Sequence, residues 1–277
     1  MKHNIGIMQG RLSPSIDGKI QFFPWKTWEK EFPVAASLGF FEIEFIFELE
    51  NYLMNPVYST EGTAKIRDLI ANSGVKVNFI CADYFMEKPF FRTSEKECRN
   101  NVKILNHLIY QASKIGAKGI EIPLVDNSSI KTKDEKEQFI KWVSEAFEFA
   151  ERFGIEIGLE TDLGPMEFKD LLEGFAHPLI KANYDTGNSA SLGYDPEEEF
   201  SAYGKYINNI HIKDRLLMGG TVPLGTGSAD LPKVAQMLKW CGYKGGFILQ
   251  AARAGDDIEN AKKNLEFVSN LFGEGTK

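Results

Sequence analysis

Short runs of hydrophobic residues alternate with longer helical patterns from one end of the chain to the other. Residues 41–46 alternate hydrophobic and polar positions with a period of two, which is typical of a β-strand. Other strands are short apolar runs bounded by glycine or polar residues. The pattern predicts eight strands, at residues 5–8, 41–46, 75–80, 119–122, 155–160, 180–185, 207–213 and 246–250.

The segments between these strands carry helix signals. Ser94 with Glu97, and Thr132 with Glu135, have the spacing of a capping box, in which each side chain bonds the other residue's backbone N–H. Several helical patterns stop at a glycine, a common residue just beyond a helix C-terminus. The predicted helices cover residues 25–38, 61–72, 95–115, 133–153, 166–172, 196–203, 231–240 and 257–271.

Eight successive strand–helix units imply parallel strands joined by right-handed crossovers. An open doubly wound sheet can also be built from such units. Eight repeats without a linker favour closure into a single (β/α)8 TIM barrel, and 277 residues suit a fold that takes about 250. We therefore expect residues 1–277 to form one domain. Loops 13–24 and 84–93 follow strands, so they are expected on the active-site face.

Charge and composition narrow the function classes. With 39 acidic and 32 basic residues, the chain has a formal net charge of −7, so it lacks the basic footprint usual in nucleic-acid binding. No uninterrupted apolar run approaches the roughly 18 residues of a membrane span. Three cysteines without close spacing do not indicate a disulfide framework. We expect a cytoplasmic protein with neither nucleic acid nor membrane as its partner.

Polar residues end the last four predicted strands: Glu160, Asp185, His211 and Gln250. In a TIM barrel, the C-terminal ends of the strands converge on one site. Two carboxylates, one imidazole and one amide oxygen form a ligand set that suits Mn²⁺, Mg²⁺ or Zn²⁺. The alternative is that each of these residues caps a loop or a helix.

The same strand ends resemble a known family. Leu159-Glu160-Thr161, residues 183–188 and His211-Ile212-Lys213-Asp214 are similar to motifs of the sugar-phosphate isomerase/epimerase superfamily. This xylose-isomerase-like family also includes ketose 3-epimerases and endonuclease IV. The resemblance implies one divalent metal held by Glu, Asp, His and Glu, a sugar or sugar phosphate as substrate, and a homodimer or homotetramer.

Two positions depart from the family pattern. The fourth ligand falls on Gln250, and a histidine that often contacts substrate is replaced by Asn188. The resemblance implies enediol chemistry in which two metal-bound carboxylates exchange protons with the sugar. Since an amide is not a useful proton acceptor near neutral pH, Glu160 is the one matching base at the two catalytic positions, Glu160 and Gln250. Candidates for a replacement are Asp83, Glu121, Lys213 and, ranked lowest, Asp214.

Further residues are candidates for substrate binding. Glu44 lies in the second predicted strand, and Asp83, Asn188, Arg215 and Arg253 follow predicted strands. The two arginines lie where TIM barrels tend to bind phosphate. The glycine-rich segment 223–230 offers backbone N–H groups to an anion, or is a plain turn. Aromatic residues of the two long loops are expected to form an apolar wall over a sugar ring: Phe22, Phe23, Trp25, Tyr84, Phe85, Phe90 and Phe91.

Two other functions compete with a metal-dependent isomerase or epimerase. Gln250 favours a catalytically altered or inactive sugar-binding barrel of the same family. A nuclease like endonuclease IV requires a trinuclear zinc site rich in histidine, whereas this chain has four histidines, of which His211 alone is well placed.

Overall fold

Eight parallel strands close into a barrel in the computed structural model, which describes residues 4–16, 18–253 and 255–272. The strands are β1 (Ile5–Met8), β2 (Glu42–Ile46), β3 (Phe79–Cys81), β4 (Gly119–Leu124), β5 (Glu156–Thr161), β6 (Ile180–Asp185), β7 (Ile207–Ile212) and β8 (Phe247–Leu249). Closure comes from β1, which pairs with β2 on one side and with β8 on the other. The predicted (β/α)8 fold is therefore confirmed.

Helices surround the barrel and bury their apolar faces against it. They are α1 (Trp28–Leu38), α2 (Thr60–Ser73), α3 (Tyr84–Glu87), α4 (Glu95–Ile115), α5 (Lys133–Ser144), α6 (Phe147–Phe153), α7 (Pro165–Phe175), α8 (Thr186–Leu192), α9 (Pro196–Tyr203), α10 (Leu231–Cys241) and α11 (Asp257–Phe272). Both predicted capping boxes are present, at Ser94 and at Thr132. None of the helices within the described ranges is long and apolar enough to cross a membrane.

Some element boundaries differ from the sequence prediction. The helix predicted over 133–153 divides into α5 and α6, because the backbone N–H groups of Glu145 and Ala146 bond carbonyls three residues back. Helix α1 begins at Trp28 instead of residue 25, since the Pro24 carbonyl accepts from the N–H groups of Thr27 and Trp28 in a turn. Strand β3 is shorter than predicted, and Lys76 makes only an isolated bridge to Glu42.

Besides α3, a helix and a hairpin on the C-terminal face of the barrel were not predicted. Helix α8 starts directly after β6, where the Asp185 carboxylate accepts hydrogen bonds from the N–H groups of Gly187 and Asn188. Its sequence has little helix propensity, so this cap supplies the missing start signal. A two-stranded hairpin, Asp214–Arg215 with Thr221–Val222, follows β7. Both elements carry residues of the site described below.

Polar side chains occupy part of the barrel interior. Glu44 of β2 contacts His211 of β7, and these two strands are not neighbours, so the contact crosses the barrel. Glu121, Asn183 and Asn209 are also buried strand residues. A barrel interior is usually filled with branched apolar side chains, so this polar layer marks the end of the barrel where chemistry is expected.

Candidate active site

A cavity of about 270 Å³ opens at the C-terminal ends of the strands. Its lining includes side chains from or just after β4 to β8: Glu121, Glu160, Asn188, Lys213, Arg215 and Gln250. The loop after β1 contributes Arg11, Ile20 and Gln21, while Asp83 and Met86 follow β3. The cavity therefore collects residues from both halves of the barrel, as expected for the active-site face of this fold.

His211 lies behind this lining, between two groups of carboxylates. On one side its Nδ1 is 3.1 Å from Oε2 of Glu160 and 4.0 Å from Oδ2 of Asp185. On the other side its Nε2 is 3.2 Å from Oε1 of Glu44 and 3.1 Å from Oε2 of Glu121. The Glu44 contact has hydrogen-bond geometry. In a neutral imidazole whose proton lies on Nε2 and is donated to Glu44, the Nδ1 lone pair would face Glu160 and Asp185.

Asp185 is held by the start of α8 and by a lysine. Its Oδ1 accepts from the N–H groups of Gly187 and Asn188, each at 2.8 Å, and its Oδ2 lies 2.9 Å from Nζ of Lys213. A Cβ on Gly187 would lie 2.7 Å from the Lys213 side chain, so the first turn of α8 requires glycine to pack this closely. These contacts fix Oδ1 at the helix start and direct Oδ2 toward Lys213 and the cluster.

Glu160 is oriented by two amides and an arginine. Its Oε1 accepts from Nδ2 of Asn188 at 2.6 Å, and its Oε2 accepts from Nδ2 of Asn183 at 2.8 Å. Asn188 in turn accepts at Oδ1 from Nη1 of Arg215, at 3.0 Å. Arg215 lies on the hairpin after β7, so that hairpin and α8 together set the direction of the Glu160 carboxylate.

A second amide chain holds Gln250, which directly follows β8 and also lines the cavity. Nε2 of Gln250 donates to Oε1 of Gln21 at 2.8 Å, and Nε2 of Gln21 donates to Oδ2 of Asp83 at 2.7 Å. Oδ1 of Asp83 accepts from the Cys81 thiol at 3.2 Å. The structure thus joins the ends of β3 and β8 through one residue of the β1–α1 loop.

The buried charges shift each other's proton affinities. Burial alone would lower the pKa of His211, but Glu121 and Glu44 outweigh it and raise that pKa well above its usual range. Burial would raise the pKa of Glu44, yet His211 brings it below its usual value. For Glu121, burial and the neighbouring Glu160 and Glu44 raise the pKa well above normal, against the opposing charge of His211. Such opposed shifts within one buried cluster are typical of functional sites.

The donor atoms present fit a divalent cation. Glu160, Asp185 and His211 offer ligand atoms that all lie within 4.8 Å of one another. Oε1 of Gln250 and Oδ2 of Asp185 are buried and accept no hydrogen bond from the described residues, although the Lys213 ammonium lies beside Oδ2. Buried polar atoms normally have a partner, so these oxygens have lone pairs for a cation. One nitrogen and three oxygens suit Mn²⁺, Mg²⁺ or Zn²⁺.

Glu44, Glu121 and His211 form a second group with ligand spacing. Glu44 and His211 have no exposed surface, and Asn209 also donates to Glu44, at 2.8 Å. Glu44 does not line the cavity, although the sequence predicted a substrate contact there. Its hydrogen bond to His211 instead suits the orientation of a metal-binding imidazole from behind.

Arg253 is also not brought to the cavity lining. Its guanidinium donates to the carbonyls of Gly10, Ser13 and Ile20 and to the Asp257 carboxylate. These bonds use its donors to hold the β1–α1 loop, which the sequence pattern did not indicate. Arg215, Asp83 and Asn188 do line the cavity, as a role in substrate binding requires.

The glycine-rich segment 223–230 is folded around Asp214. The two Asp214 oxygens accept from the backbone N–H groups of Gly225, Gly227 and Ala229 at 2.9 to 3.0 Å. Because these N–H groups are already bonded, the structure favours a turn at this segment over an anion site. Asp214 therefore orients its neighbours and does not reach the cavity lining.

The predicted aromatic wall is wrong. Six of its seven residues are buried in the hydrophobic core, and Trp25 packs against Phe23 with ring centroids 4.7 Å apart. The apolar part of the cavity lining comes from Ile20, Met86, Pro123 and Val125 instead. Gln21 and Arg11 were missed, and the one signal for them was the length of the loop after β1.

The same barrel occurs in known proteins. A family model described as a xylose isomerase-like TIM barrel matches residues 32–271. A putative L-ribulose-5-phosphate 3-epimerase, UlaE, from Shigella dysenteriae serotype 1 is 24% identical over 231 residues, covering 80% of this chain and 81% of the relative.

Solved structures share the fold over nearly their whole length. D-psicose 3-epimerase from Clostridium cellulolyticum H10, with D-tagatose, has a TM-score of 0.78 and 16% identity, covering 97% of this chain and 99% of that one. The IOLI protein with a bound zinc atom has a TM-score of 0.77 and 17% identity, covering 98% and 100%. At such identities the likeness shows the fold.

Proposed function

This chain belongs to the xylose isomerase-like TIM barrel family, and from that premise we propose that it is a cytoplasmic, divalent-metal-dependent isomerase or epimerase of a keto-sugar or its phosphate. The observation that carries the proposal is the position of Glu160. This carboxylate lines the cavity, contacts His211 beside Asp185, and is oriented by Asn188 and Asn183.

Four side chains would hold the metal: Glu160, Asp185, His211 through Nδ1, and Gln250 through Oε1. A bound divalent cation would polarise the carbonyl and adjacent hydroxyl oxygens of a keto-sugar. Glu44 would keep the proton on Nε2 of His211, so that Nδ1 remains a neutral donor. Asp185 would keep its orientation through α8 and Lys213.

Glu160 is the proton acceptor in this proposal. It would remove a proton from the carbon next to the carbonyl and so form an enediolate of the sugar. Returning that proton to the former carbonyl carbon, while the hydroxyl proton passes from one enediolate oxygen to the other, completes an isomerisation. An epimerisation needs a donor on the other face of the enediolate, and Gln250 cannot supply it. Glu121 and Asp83 are carboxylates that also line the cavity.

Substrate hydroxyls would meet the polar residues around this centre. Arg215, Asn188 and Asp83 line the cavity, and Arg11 adds a buried guanidinium that the sequence pattern did not indicate. Burial and the nearby Arg253 lower the pKa of Arg11 to about 9, yet this value leaves it charged near neutral pH. Arg11, Lys213 and Arg215 are the cations for an anionic group of the substrate.

Deuterium uptake tests this function even while the sugar is unidentified. Purified protein is incubated in D₂O with Mn²⁺, Mg²⁺ or Zn²⁺ and with a panel of ketoses and their phosphates, and products are analysed by mass spectrometry. We expect a one-dalton gain for at least one sugar, dependent on metal and abolished in Glu160→Gln. Glu156→Gln is the matched control, because it makes the same change on β5 but outside the cavity.

Gln250 supports a second candidate, a sugar-binding barrel that has lost catalysis. In that case the protein would bind metal and a sugar, yet no member of the panel would gain deuterium. Protein that binds no metal even in excess Mn²⁺, Mg²⁺ or Zn²⁺ would contradict the metal-dependent enzyme.

A further inference from the structure

The amide of Gln250 is part of a hydrogen-bond chain that has a direction. Gln250 donates to Gln21, and Gln21 donates to Asp83, with donor–acceptor distances of 2.8 and 2.7 Å. These three side chains come from the end of β8, the loop after β1 and the end of β3. Gln21 is thus the link that joins two strand ends far apart in the sequence.

Asp83 sets the direction of the chain. One of its carboxyl oxygens accepts from Gln21 and the other from the thiol of Cys81. Because both oxygens act as acceptors, Gln21 must turn its NH₂ group toward Asp83 and its oxygen toward Gln250. Gln250 must then donate its own NH₂ group to Gln21. Its Oε1 is left buried and without a hydrogen-bond partner among the described residues.

The direction matters because an amide has two ends of similar size and opposite polarity. A half-turn of the Gln250 side-chain amide would exchange its oxygen for an NH₂ group with little change in packing. An NH₂ group directed at a cation would repel it, whereas the oxygen is a ligand for Mn²⁺ or Mg²⁺. A carboxylate at the same position presents oxygen either way and needs no such selection.

We propose that Gln21 is a positioning residue that selects the orientation of Gln250 in which the amide oxygen faces the metal site. The inference rests on the proposed function, because it assigns Gln250 to the metal. It also pairs the two glutamines: an amide at position 250 depends on an amide at position 21, while a glutamate at 250 does not.

Metal affinity in four variants tests this pairing. Dissociation constants for Mn²⁺ are measured by calorimetry for the full chain, Gln21→Leu, Gln250→Glu and the double variant. We expect Gln21→Leu to weaken Mn²⁺ binding about 10- to 100-fold, the usual effect of losing a residue that orients a ligand. In the Gln250→Glu background, the same Gln21→Leu change should alter the affinity by less than about threefold, because a carboxylate needs no orientation.

The matched control is Gln138→Leu. Gln138 also donates its amide to an aspartate, Asp134, but it lies on α5 away from the cavity. The Mn²⁺ affinity of the Gln138→Leu variant should equal that of the unchanged chain. A role of Gln21 in packing alone would weaken binding equally in both backgrounds at position 250, and that result would overturn the inference.

The two proposals fail in distinguishable ways. If the unchanged chain binds Mn²⁺, Glu160→Ala does not, and Gln21→Leu binds as tightly as the unchanged chain, the inference is overturned and the proposed metal site stands. If the unchanged chain binds none of Mn²⁺, Mg²⁺ and Zn²⁺ in excess, both are overturned.

Discussion

Glu42 and Glu44 lie two residues apart on β2. Glu42 begins the strand at the N-terminal end of the barrel, and Glu44 lies beneath the cavity. Their side chains belong to residues that are 3% and 0% exposed, so burial acts on both. Burial raises the pKa of Glu42 to about 7, against a hydrogen bond from Asn78. The pKa of Glu44 is lowered instead, because the charge of His211 outweighs burial. Two glutamates on the same strand thus have pKa values that are shifted in opposite directions.

The difference shows that the side chain in contact with a buried carboxylate decides whether that carboxylate is neutral or ionised. Glu42 faces an amide and is stable mainly when neutral, which is the usual fate of a buried acid. Glu44 faces an imidazole from across the barrel and stays ionised, so it can hold the proton on Nε2 of His211. Changing His211, Glu42 or Glu44 therefore tests this contrast directly.

The largest expected effect comes from removing the imidazole. His211→Gln leaves Glu44, Glu121 and Glu160 buried without their cation, and breaking such a group costs roughly 3–5 kcal/mol of unfolding free energy. Urea unfolding of metal-free protein at pH 8, followed by circular dichroism, measures the loss. His177→Gln is the control: its partner Glu151 is 63% exposed, so we expect a loss below about 1 kcal/mol. Equal losses of unfolding free energy in His211→Gln and His177→Gln would contradict this role of the buried imidazole.

The second largest effect is a gain in unfolding free energy when Glu42, at the N-terminal end of β2, is replaced. Glu42 has a folded-state pKa of about 7, raised above its ordinary value of 4.5, so the folded state binds more protons and stability falls as pH rises between these values. Glu42→Gln should remove this cost and raise the unfolding free energy at pH 8 by up to about 3 kcal/mol. At pH 5 the gain should shrink below about 1 kcal/mol.

Urea titrations at both pH values measure this gain, with Glu29→Gln as the control on an exposed glutamate paired with Lys65. The control should change stability by less than about 0.5 kcal/mol at either pH. A gain for Glu42→Gln that is the same at pH 5 and pH 8 would show that ionisation is not its cause.

The smallest effect sharpens the contrast further. Glu44→Gln keeps a hydrogen-bond acceptor for His211 but removes the charge, so we expect Mn²⁺ affinity to fall about 10-fold, at the lower end of effects for residues behind a metal ligand. Glu42→Gln is the control on the same strand and should leave the Mn²⁺ dissociation constant unchanged. Calorimetry on both variants measures the difference, and equal losses would refute a specific role for Glu44.

The sequence predicted the barrel and the position of its polar strand ends. Both follow from the pattern of hydrophobic and polar residues within short segments of the chain. Glu160, Asp185 and His211 do lie together, since parallel strands bring their C-terminal ends to one face. That they bind a metal stays a prediction.

Residues whose role depends on distant partners were harder to predict. Arg253 has the position of a phosphate ligand after β8, but carbonyls of the first loop accept its donors. The N–H groups of segment 223–230 have the pattern of an anion site, but Asp214 accepts three of them. A sequence pattern shows which donors exist, whereas the folded chain decides which acceptors reach them first.

The hydrogen bonds of Arg253 also have a consequence for synthesis on the ribosome. The loop after β1 carries Gln21 and emerges early, but the guanidinium that holds Gly10, Ser13 and Ile20 is made 233 to 243 residues later, by the sequence separation of these bonds. Domains fold as units during synthesis. The β1–α1 loop is therefore among the last parts of the nascent chain to reach its final structure. A chain that stalls before residue 253 lacks the hydrogen bonds from Arg253 that hold this loop.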